Sequence, residues 1–279
     1  MFFISGMLSG KTLRLQEVSD RKAYVRDRFQ RLMVPYFTIA VIYLPFKIVL
    51  SRFANQPYDV VGIWKIFLGE NPDGGLWFLY VLFLIQMVMA LLLRRNNVKL
   101  VLILGLLCSL LVVAWNTHWF RVDDAIFYFC FVMMGLCFSI SESFNSHFNR
   151  LQILAFLLLL VCSLTAYFLT YSPLCKFFSG MFASFFIVGF SKFLDVVLSD
   201  GCRTGATLKS LGNYTMDIYI FHGILMVVVR IVFWSVLHWN YYLCCLLMFI
   251  VGILVPLYIS KKVVRPIPLF RKIFLGDFK

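Results

Sequence analysis

The chain has 279 residues, 62% of them hydrophobic and 14% charged, with a mean hydropathy of +0.88. No water-soluble domain covers that much apolar surface, so the composition defines a polytopic membrane protein. Lys and Arg outnumber Asp and Glu by 26 to 13. That excess lies in short segments between apolar runs, the footprint of membrane topology and anionic lipid, and no nucleic-acid partner is expected.

Met1–Leu8 is apolar but too short to cross a bilayer, which takes about 20 residues. It reads as the second half of a membrane helix, and without preceding charge it is not a signal peptide. Gly6 and Gly10 have the spacing of a helix-packing motif. Ser9–Arg31 is polar and basic, and Arg21–Tyr36 (RKAYVRDRFQRLMVPY) reads as a basic helix running into the membrane. Full spans are expected at about Leu32–Leu50, Leu76–Leu93, Leu100–Trp115, Ala125–Ile140, Leu151–Thr170, Phe177–Leu198, Tyr214–Leu237 and Tyr241–Ile259. A short amphipathic piece near Val60–Leu68 is expected in the interface, and a basic tail follows residue 259. The fold class is therefore an all-α transmembrane bundle of about eight full spans plus an N-terminal half-span. No separate soluble domain is visible. Eight cysteines, none in a CxxC pair, read as small packing residues.

Of the 26 Lys and Arg, 20 fall on one set of alternating loops and 4 on the other; Lys47 and Arg230 lie inside spans. The basic set faces the cytoplasm. That places residues 10–31 and the tail 260–279 inside, and short loops suit a bacterial inner membrane.

Polar groups within spans are the informative ones, since each is expensive in lipid unless partnered. Lys47 and Arg230 are expected to snorkel outward. Trp77, Phe78 and Tyr80 read as an interfacial aromatic belt at the outer end of the second span. Gln86 and Asp217 are further polar residues within spans. His222 lies roughly 12 Å into the seventh span, at 1.5 Å per residue, with Tyr219 one turn before it. An imidazole there can act as acid or base; the alternative is a histidine bonded to a neighbouring helix. Arg28 and Arg31 share a helix face one turn from the hydrocarbon and present donors to an anion, or else form a stop-transfer cluster with Asp27 pairing to Arg31. His118 and His147 are loop residues. No metal-ligand spacing, Walker loop or G-x-S-x-G segment is present.

Four stretches in order resemble one family. Phe2-Phe3-Ile4-Ser5-Gly6 is similar to its FFFISG segment. Arg28-Phe29-Gln30-Arg31-Leu32 with Val34-Pro35-Tyr36 is similar to its RxxRL-x-VPY entry to a span. Leu76-Trp77-Phe78-Leu79 is similar to its LWFL segment, and Leu211–His222 (LGNYTMDIYIFH) to its LGxYSLxIYLLH segment. The chain thus resembles the acyltransferase 3 family of membrane O-acyltransferases over nearly its whole length. The resemblance implies transfer of an acyl group, usually acetyl, from a cytoplasmic coenzyme A thioester to a hydroxyl of a lipid-linked or surface glycan. Acyl-CoA is then a co-substrate and no cofactor is bound. It implies a donor-binding role for Arg28 and Arg31 and matches His222 to the family's late histidine; Tyr219 and Trp77 become candidates for the substrate pocket. The family has ten spans, with an arginine and a histidine in the first. By that comparison residues 1–279 form one acyltransferase-like domain lacking the first span, either inactive or dependent on His222. A second reading is a transporter or flippase of a lipid-linked saccharide; a third is a non-catalytic remnant.

Overall fold

Helices form where the apolar runs fall, because only a helix satisfies its backbone internally in lipid. The computed structural model describes residues 1–9, 18–49, 60–93, 97–115, 121–140, 149–198 and 203–278. Gly10, His118, His147 and Cys202 lie outside them. The helices are α1 (Phe2–Ser9), α2 (Val18–Val49), α3 (Trp77–Leu92), α4 (Val98–Trp115), α5 (Val122–Ile140), α6 (Arg150–Thr170), α7 (Pro173–Val197), α8 (Arg203–Asn213), α9 (Thr215–Val229), α10 (Tyr241–Ile259) and α11 (Pro268–Leu275). Among the described residues there is no strand, and 7 helices are long and apolar enough to cross a membrane; Val98–Val113 is a shorter apolar helix. Two helices stand where only a loop and a tail were expected, α8 and α11. Two stretches wind as π-turns, Arg230–Val236 after α9 and Ser260–Val264 after α10.

The chain divides into two compact units, Met1–Arg21 with Met87–Leu208 and Lys22–Gln86 with Lys209–Lys279. In the first, α1 packs on α5 and α6 on α7. The α1–α5 crossing is backbone on backbone. A Cβ on Gly6 would fall 2.0 Å from the Val132 carbonyl oxygen, and one on Gly135 would fall 2.0 Å from that of Phe3. Small residues permit such crossings. Gly6 thus packs on the Val132 backbone of α5, and Gly135 of α5 on the Phe3 backbone of α1. Phe2 stacks on Tyr128 with centroids 4.3 Å apart, closing one end of the crossing.

In the second unit α2 and α3 run antiparallel. The Tyr24 hydroxyl donates to Gln86 Oε1, the Phe29 and Phe83 rings meet at 5.8 Å, and Tyr36 meets Tyr80 at 5.7 Å. Phe29, between Arg28 and Arg31 in sequence, is thereby set against Phe83 of α3. Gln86, 2% exposed, is accounted for as the acceptor for Tyr24.

The segment Val60–Leu68 is a 3-10 helix folded back along α2. Tyr36 donates to the Ile66 carbonyl at 2.8 Å, and Tyr36 stands about 20 Å from Val49 along α2 at 1.5 Å per residue. The piece expected in the interface thus lies beside α2 at the level of Tyr36. Irregular backbone is tolerated there only if its polar groups find partners. Tyrosines provide them: Tyr36 for Ile66, and Tyr80 for the Phe67 carbonyl at 3.0 Å. Tyr80, read from the sequence as part of an aromatic belt, thus also holds this segment.

Candidate active site

The loop before α3 is built by its own side chains. Asn71 Oδ1 accepts the Asp73 N–H at 3.0 Å, and Asn71 Nδ2 donates to the Tyr36 carbonyl at 3.0 Å, tying the loop to α2. Asp73 Oδ1 accepts the Gly75 N–H at 3.0 Å, capping the turn Gly74–Leu76 that leads into α3. Lys47 Nζ donates to the Pro72 carbonyl at 3.0 Å, so the Lys47 ammonium meets this loop.

Onto that loop comes α9. The Tyr219 hydroxyl donates to the Gly75 carbonyl, and its ring meets Phe78 edge-on at 5.6 Å. Gly223 admits the Asp73 carboxylate: a Cβ there would lie 2.4 Å from Asp73 Oδ2. His222, beside Gly223, has Nδ1 2.7 Å from the Tyr219 carbonyl. A carbonyl only accepts, so Nδ1 carries a proton and, in the neutral ring, Nε2 holds the lone pair. Asp73 is 7% exposed, and His222 and Lys47 are near enough to act on it electrostatically. Burial holds its carboxyl above the usual carboxylate range, and the Gly75 N–H, His222 and Lys47 oppose that rise. Tyr43 lies within electrostatic reach of both Asp73 and Arg230. The loop and α9 therefore gather His222, Tyr219, Asp73 and Lys47. Trp77 opens α3 next to Phe78 and is half-buried.

A second cluster fixes the start of α9. Asp217, 2% exposed, accepts from the Ser260 hydroxyl and from Arg265 Nε at 2.9 Å. Arg265 also donates to the Asn213 carbonyl at 2.9 Å and lies over the Tyr214 ring at 4.0 Å. Its guanidinium is held further above its ordinary range, chiefly by the hydrogen bond to Asp217. The polar residues of the LGNYTMDIYIFH stretch thus orient the helix that carries His222.

The arginine pair divides. Arg28 stands over the Tyr24 ring at 4.9 Å. Arg31 pairs with Asp27 at 3.2 Å, as its spacing suggests, and lines a cleft together with Arg26 and the end of the tail.

Sequence reasoning missed Asp73. The signal was present: Asn71-Pro72-Asp73-Gly74-Gly75 is a turn-forming run whose Asx side chains cap nearby N–H groups. Nothing in it indicates that the turn meets a helix more than a hundred residues later.

Apolar helices of spanning length, packed with polar groups satisfied internally, define a multi-pass membrane protein in a lipid bilayer. Residues 1–259 match the acyltransferase domain of the acyltransferase 3 family, so the chain belongs to that family and to the class of membrane acyltransferases. No curated protein and no solved structure matches it.

Proposed function

We propose that the protein transfers an acyl group, in the first instance acetyl, from a coenzyme A thioester to a hydroxyl of a lipid-linked or surface glycan. The observation that carries this reading is the His222 ring, with Nδ1 committed to the Tyr219 carbonyl. Nε2 is then the nitrogen left to accept a proton. In the proposed step, Nε2 takes the proton of the acceptor hydroxyl as its oxygen attacks the thioester carbonyl. The new C–O bond forms, the C–S bond breaks, and the leaving thiolate takes up the proton. Tyr219 and Trp77 flank the acceptor, and Asp73 offsets the charge of the transient imidazolium. Arg28 and Arg31 bind the anionic donor, a task suited to guanidinium groups. The proposed setting is a bacterial inner membrane with the basic tail in the cytoplasm.

The test is acyl transfer from radiolabelled acetyl-CoA to membrane glycan, comparing the parent chain with the Arg28→Ala, Arg31→Ala double variant. The reading expects a rise in KM for acetyl-CoA of tenfold or more in the variant. Unchanged donor kinetics would remove the arginines from the donor site. Saccharide movement across vesicles without thioester consumption would replace the transferase by a transporter.

A further inference from the structure

The chain after residue 259 lies beyond the family match, yet it is bound closely to the arginine helix. The Thr38 hydroxyl donates to the Ile273 carbonyl at 3.1 Å, and Phe274 meets Phe221 at 5.3 Å. Gly276 ends α11 in the left-handed conformation, with φ +62°. It sits so near α2 that a Cβ would fall 2.0 Å from the Gln30 carbonyl oxygen and 2.7 Å from Arg31 Cα. Glycine meets both demands at once.

Beyond Gly276 the chain faces α2 across a cleft of about 220 Å³, with Arg26, Gln30 and Arg31 opposite Asp277 and Phe278. Each carboxylate in its walls already has a cation: Asp27 has Arg31 at 3.2 Å, and Asp277 has Arg271 at 3.4 Å. Arg26 adds a third, exposed guanidinium to these two carboxylates. The cleft therefore keeps positive character beside an exposed aromatic ring, Phe278. It is smaller than the ~300–1,000 Å³ of whole small-molecule pockets, so it suits one end of a long ligand.

We propose that the C-terminal segment Arg271–Phe278 is the second wall of a nucleotide subsite that takes the phosphorylated adenosine end of the acyl-CoA donor. Arg26 and Arg31 engage phosphate, Phe278 stacks on the base, and Gly276 sets the width of the cleft. This rests on the donor reading of Arg28 and Arg31 and adds to it a wall from outside the family match.

The experiment titrates adenosine 3′,5′-bisphosphate into the full chain in phosphatidylcholine nanodiscs by calorimetry. Phe278→Ala removes only an exposed ring near the chain end and leaves folding undisturbed; Gly276→Val forces the tail off α2. The proposal expects at least fivefold weaker binding for Phe278→Ala and at least tenfold for Gly276→Val. If both bind as the parent does while Arg28→Ala, Arg31→Ala loses affinity, the tail has no part in the site and the donor reading stands. If the tail variants weaken binding and the arginine double variant does not, Arg31 engages no phosphate, and the subsite as stated is overturned together with the donor reading. No binding by the parent overturns the subsite. A cleft that ignores the bisphosphate but protects tail amides from hydrogen exchange when phosphatidylglycerol is added belongs to a lipid headgroup, which also overturns it.

Discussion

Asp73 and His222 are brought together because Gly223 has no side chain. The Asp73 carboxylate occupies the space a Cβ would take, and His222 is the next residue along α9. Burial raises the Asp73 carboxyl above the ordinary range, so it takes up a proton at a higher pH than an exposed carboxylate, whose pKa is about 3.9. If the charge of Asp73 supports the imidazolium, activity falls as the pH drops through that raised pKa. Asp73→Asn should then lower transfer at neutral pH and flatten the acid limb of the pH–rate profile. A profile in Asp73→Asn identical to the parent's would exclude this role. The types of residue in this site were readable: a histidine in a span is expensive, and Tyr219 stands one turn before it. Asp73 was not, since its importance comes from a contact between segments far apart in sequence.

At the scale of elements, the returning segment Val60–Leu68 and the end of α10 are each held by a few polar contacts, and each contact can be tested. Tyr36→Phe removes one of two donors to the Ile66 carbonyl, which keeps the Gly69 N–H at 3.2 Å, an expected loss of about 0.5–1.5 kcal/mol. Unfolding in mixed micelles should show it, with the fluorescence of Trp64 on that segment changing first. Arg265→Met leaves the Asp217 carboxylate buried without its cation. Breaking a fully buried pair costs about 3–5 kcal/mol. Here the Arg265 side chain keeps 36% of its surface exposed, so about 1–3 kcal/mol is expected. Restored stability in Arg265→Met combined with Asp217→Asn would confirm that the penalty is the orphaned charge. The span positions were legible because hydrophobic length is a local property. The return of Val60–Leu68 and the helix α11 were not: both are amphipathic pieces whose partners, Tyr36 and Thr38, are set by tertiary packing.

For the whole molecule, composition alone placed the chain in a membrane, and the order of four weak motifs pointed to the family that the match over residues 1–259 establishes. The register of α2 on α3 needed three dimensions. It pairs Tyr24 with Gln86 and Phe29 with Phe83, contacts that an apolar count does not reveal. The Lys47 and Phe78 contacts likewise come from tertiary packing, which hydropathy does not register. The central claim, that His222 is the base of an acyl transfer, is tested most directly by single-turnover transfer of labelled acetyl from acetyl-CoA to a membrane glycan by His222→Ala. The account predicts a fall of about 10²–10⁴-fold in rate with donor affinity preserved. Transfer at the parent's rate would contradict it.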